Sequence, residues 1–142
     1  MPTPYESADL LIKLYELRRE PTMRDARAWF AREFNPSSLD DVASAAAGSH
    51  SAHFRMVTSY WDMAASFVTN GAIDEKMFND ANGEQLVILA KLEPFLAEYR
   101  TRVGNPTYLA HLEKLVMKRP RVKEAMAAMR ERFRAMASAA RN

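Results

Sequence analysis

His50 and His53 stand three residues apart, and on a helix that spacing puts both imidazoles on one face. Two imidazoles so placed are the start of a zinc site. A zinc ion needs further ligands, and neither histidine has an Asp or Glu four residues on to supply one nearby. The competing reading makes both histidines boundary residues, hydrogen-bonded to backbone where a helix enters the core. Asp62 is the next group that could do chemistry. It shares a polar stripe with Arg55, Ser59 and Ser66. It is either an acid facing a pocket or part of a solvated, ion-paired face, and charged stripes usually belong to the second kind. Arg100 is the other polar group that a pocket beside this stripe would employ. Nine methionines and the Tyr60-Trp61 pair could line an apolar ligand pocket, but Met more commonly fills gaps in a core.

The usual catalytic signatures do not occur. There is no Gly-rich phosphate loop, no His-Glu-x-x-His and no Ser–His–Asp order. With no cysteine there is no thiol nucleophile, thiolate metal site or disulfide. The residues therefore imply no cofactor and lean away from an enzyme.

The largest-scale signal is charge. Residues 1–113 carry 11 Lys/Arg against 16 Asp/Glu, a net of −5. Residues 114–142 carry 9 against 2, a net of +7. Beyond Pro120, Val122, Met126, Met129, Phe133, Met136 and Ala140 recur at alternating spacings of four and three. That is an apolar seam of period 3.5, suited to packing one helix along another. Arg130, Arg132 and Arg134 cluster among the remaining positions. The tail has three possible targets: a protein surface, nucleic acid through its basic residues, or an anionic membrane surface. One aromatic, Phe133, and no recognised nucleic-acid motif weaken the second. A narrow, Met-rich seam without Trp weakens the third. Seam geometry and opposite charge favour docking on the chain's own acidic body or on a second copy.

The elements that must position these groups read as helices throughout. Thr3-Pro4-Tyr5-Glu6 is a capping box with Pro at the first helical position, followed by Leu10, Leu11, Leu14 and Leu17. After Pro21, Thr22 with Asp25 predicts a second helix carrying Met23, Ala26, Trp29, Phe30 and Phe34. Ser38 and Asp41 open a short third, to about Ala47. The fourth, about Ser51 to Asn70, is apolar around most of its circumference, which marks a central helix with neighbours on several sides. Gly71 suits its left-handed C-terminal cap. Asp74 caps a short helix through Met77 and Phe78, and Asn82 opens another. In that one the apolar run Leu86–Leu92 is a buried helix by its length and flanks, and Pro94 is expected to kink or split it. Gly104 ends it. Asn105-Pro106 then reads as a cap plus proline start for a helix carrying Leu109, Leu112, Leu115 and Val116.

The stretch Tyr60-Trp61-Asp62-Met63-Ala64-Ala65, continuing through Asn70-Gly71-Ala72-Ile73-Asp74 to Phe78, resembles the core of a family of small bacterial helical proteins classed as a domain of unknown function. The resemblance extends to Leu14-Tyr15-Glu16-Leu17-Arg18, Arg27-Ala28-Trp29-Phe30 and Glu98-Tyr99-Arg100, covering about residues 7–117. It implies an all-α fold and no established activity. Some members of that family carry a membrane-spanning segment before the domain; the expectation here is that this chain lacks one, which counts against membrane association. The tail beyond Pro120 lies outside the resemblance.

The expectation is thus an all-α, single-domain bundle of about seven helices around the helix 51–70. Residues 1–119 form the body, and 120–142 a basic helix docked on the body or on a partner subunit. With no signal peptide and no long apolar run, the default compartment is cytoplasmic. The leading functional expectation is a non-enzymatic module that self-associates as a homodimer through Val122, Met126, Met129, Phe133 and Met136. The alternatives are a small-ligand or metal binder, or enzyme, with a pocket beside helix 51–70, and a polyanion binder acting through the tail.

Overall fold

The computed structural model describes residues 1–141 and is helical throughout, with no strand among them. Eight helices follow one another: α1 (Pro4–Arg18), α2 (Pro21–Arg32), α3 (Leu39–Ala47), α4 (Ser51–Thr69), α5 (Glu75–Ala81), α6 (Glu84–Val103), α7 (Ala110–Val116) and α8 (Val122–Arg141). They form one helical domain around α4, which packs against α2, α3, α5, α6 and α7. Its inward residues Phe54, Val57, Tyr60, Trp61, Ala64, Ala65 and Val68 are buried. The alanines matter as much as the aromatics, because small side chains let neighbouring helices approach closely.

Local chemistry starts most of these helices. The Thr3–Glu6 box closes in both directions at 3.1 Å. Ser38 accepts from the Asp41 amide and Asp74 from the Met77 amide, each satisfying one of the free N–H groups of a first turn. Gly71 and Gly104 take positive φ, 82° and 70°, at the ends of α4 and α6.

Three expectations need correction. α2 starts at Pro21, one residue before Thr22, and its cap is Glu20, whose carboxylate accepts from the Met23 amide at 2.9 Å. The segment after Gly104 does not become helical at Asn105. Asn105 turns its side-chain oxygen to the Thr107 amide, 3.2 Å, and α7 waits until Ala110, after Leu109 at φ 55°. Of the two outcomes expected at Pro94, the split does not occur: α6 runs unbroken through it. A proline has no N–H for the carbonyl four residues earlier. That carbonyl, Ala90, instead accepts from Arg130 Nη1 of α8 at 2.9 Å.

α8 lies along α6. The first half of the seam is spent there: Val122 and Met126 are buried, and Met129 and Phe133 are half-buried. Met136, 69% exposed, continues the same line past the body. No helix is long and apolar enough to cross a membrane among the described residues.

Candidate functional site

The polar stripe of α4 does face a cleft. Its far wall is the turn 105–109 and the start of α7, and it encloses about 690 Å³ between Phe54, Arg55, Thr58, Ser59 and Asp62 on one side and Asn105, Thr107, Tyr108 and His111 on the other. That is the size of a small-molecule site.

The turn is held in place from both sides. Asp62 Oδ1 accepts from the Leu112 amide at 2.9 Å, so a carboxylate from α4 caps α7 across space. α7 has no cap of its own, since Leu109 carries no acceptor. Arg100 of α6 donates Nε to the Tyr108 carbonyl at 2.8 Å and Nη1 to Glu113 at 3.0 Å. His111 Nδ1 meets Thr69 Oγ1 at 2.6 Å. The constraint leaves Leu109 in the left-handed region, a conformation that a bulky residue adopts only when its surroundings impose it. Asp62 and Arg100 therefore converge on one segment, from two helices.

Thr58 is buried and donates to the Phe54 carbonyl at 2.9 Å. Tyr108 beside it has a buried hydroxyl with no hydrogen-bond partner, and burial pushes its phenol up to about 12. The Thr58 hydroxyl beside the phenol pulls in the opposite direction. Tyr99, packed on Tyr108 with ring centroids 5.2 Å apart, is likewise raised by burial. Arg100 Nη2 is also buried and unpartnered. Buried donors are rarely left in this state, so two at one turn mark it out.

The histidine pair lies elsewhere. His50 stacks on Trp29 at 4.9 Å and 14°, and His53 tilts toward the same indole at 6.1 Å. No group of three or more His, Asp or Glu side chains able to hold a metal ion occurs among the described residues.

Two polar centres escaped the sequence reading. Lys91 stands in the apolar stretch of α6 and is only 3% exposed. Its ammonium donates to the carbonyls of Phe30, Ala31 and Phe34 at 2.7, 3.1 and 2.8 Å. These are unfilled acceptors at the negative end of α2. Burial pulls Lys91 down to about 8, and Phe133 of α8 covers it, 4.7 Å from ammonium to ring centroid. A lysine inside a solidly apolar run was the available signal. The second centre is Glu84, whose carboxylate takes both Arg27 Nε, at 2.9 and 3.2 Å, and Trp61 Nε1, at 3.1 Å. Nothing local announces it, because its partners lie 57 and 23 residues away.

No curated protein and no solved structure matches the chain. Residues 5–119, from the start of α1 to just past α7, match the family described as Domain of unknown function (DUF4760), and the chain belongs to that family.

Proposed function

We propose that the chain is a binding module rather than an enzyme, and that it holds a small polar molecule in the cleft between α4 and the 105–111 segment. The observation that carries this reading is the cleft itself, about 690 Å³ with the polar groups of Arg55, Ser59, Asp62 and Thr107 along its walls. Arg55, Ser59 and the second oxygen of Asp62 offer contacts to a ligand. The groups with catalytic potential are already engaged in structure: Asp62 caps α7, His111 holds Thr69 and Arg100 holds Glu113. That favours binding over turnover, since a nucleophile needs a free base beside it.

The test is a ligand-observed NMR screen of small polar metabolites. Ser59 is exposed, so Ser59→Trp fills the cleft without touching the core. Hits should vanish with Ser59→Trp and weaken with Arg55→Gln, a change at an exposed lining position. A screen without hits, or hits indifferent to both variants, overturns the reading.

One observation favours self-association as a second reading: Met136 prolongs the seam beyond the body. A second copy covering Met136 and the outer edges of Met129 and Phe133 would make a homodimer. Light scattering across micromolar concentrations reads it directly. A dimer that Met136→Asp dissociates supports it, and a monomer throughout disposes of it.

A further inference from the structure

The elbow between α1 and α2 gathers four arginines around one hollow. Arg18 lies in the last turn of α1, Arg19 caps that helix, and Arg24 and Arg27 stand on α2. With Tyr15 they line a concavity of about 420 Å³ that shares no residue with the cleft beside α4.

The four guanidinium groups are held in different ways. Arg27 is fixed by Glu84 and by the Arg18 carbonyl, which accepts its Nη1 at 3.3 Å. Arg18 lies over two rings, 5.3 Å from the Trp61 centroid and 5.4 Å from that of Tyr15. Stacking fixes its plane and leaves its edge N–H groups for an acceptor. Its Nε is buried with no partner. Arg19 lies 5.7 Å from the Tyr15 centroid and meets Glu16 at 3.2 Å, a contact exposed on both sides and so worth little. Arg24 is exposed and forms no ion pair among the described residues.

Two of the neighbouring carboxylates are committed. Glu84 serves Arg27 and Trp61, and Glu20 serves the first turn of α2. Two positive charges, Arg18 and Arg24, are left without a counter-ion at a hollow whose other walls are Tyr15, Arg19 and Arg27.

We propose that this hollow binds a phosphate-type dianion, a phosphomonoester or pyrophosphate group. Two uncompensated guanidinium groups match two negative charges, and a phosphoryl group offers several acceptor oxygens to forked donors converging from different directions. The Glu84–Arg27–Trp61 network is the support: it prevents Arg27 from collapsing into the hollow and holds the indole on which Arg18 lies.

The test is a ¹⁵N-resolved NMR titration of the full chain with inorganic phosphate and then pyrophosphate, at fixed ionic strength. Saturable shifts should centre on residues 15–27. Arg24→Gln, a change at an exposed position, should weaken binding about tenfold, the cost of one charge-assisted contact. Arg132→Gln on α8, the control for a loosely held arginine, should leave binding unchanged. Titration of vesicles with and without phosphatidic acid separates a soluble phosphate compound from a lipid headgroup. Either result supports the site if Arg24→Gln weakens it. The proposal is overturned by an unsaturated, salt-like response, by equal affinity in Arg24→Gln, or by shifts centred on α8.

Discussion

α4 and α8 are nearly equal in length, 19 and 20 residues, but they are determined in opposite ways. α4 has five helices around it, and buried residues recur from Phe54 to Val68. α8 has one principal neighbour, α6, and answers to it at a few points: Val122 and Met126 in the core, Arg130 on the Ala90 carbonyl, Phe133 over Lys91. A helix of the first kind is written into the whole fold. The second kind is attached by a handful of contacts along one line, so its positions should divide sharply into those that matter and those that do not.

The largest test of that contrast is Trp61→Ala. The substitution empties a fully enclosed site and strips Glu84 and Arg18 of a partner, and it should cost about 4 kcal/mol in chemical denaturation. Two methionines on α8 sharpen the comparison within one helix. Met126→Ala should cost about 2–3 kcal/mol, while Met136→Ala should change the midpoint by no more than about 0.5 kcal/mol in a monomer. Equal effects at the two positions would mean that α8 is not anchored as described.

The third test is a pH dependence. Lys91 has its folded pKa lowered to about 8, below the ordinary 10.5 of the unfolded chain. Between those values the unfolded state binds more protons, so stability should rise with pH from about 8 to about 10, by the order of 2 kcal/mol. Above about 10 the trend should reverse. Tyr60 and Tyr108 are both pushed up to about 12, so the folded chain there keeps protons that the unfolded chain has lost. Lys91→Met should erase the rise and keep the fall, as read by denaturation midpoints from pH 7 to 11.

What could be read in advance follows the same division between local and distant causes. The all-α fold, the centrality of α4, the Thr3–Glu6 box and the left-handed glycines depend on residues within a turn or two of each other. Asp62 was visible as a polar residue on a central helix. Its task was not, because the amide it caps lies 50 residues further on. The start of α7 was misplaced for the same reason: Asn105 spends its side chain on Thr107, and the cap arrives from α4. Lys91, Arg27 and Glu84 take their meaning from partners 23 to 61 residues distant. Spacing along the chain carries no trace of such pairs.

Pro94 leaves a socket. By withholding one N–H it exposes an acceptor in the middle of α6, and a buried carbonyl must be filled by some donor. In this chain Arg130 fills it from α8. The family match stops at residue 119, before that arm begins. The two stretches are therefore interdependent: remove α8 and the body keeps an unfilled acceptor, which water or another molecule's donor must take. Restoring the missing N–H with Pro94→Ala would give that carbonyl its helical donor and leave Arg130 with Glu93, 3.9 Å away, as its remaining partner, so the proline and the arginine act on one acceptor.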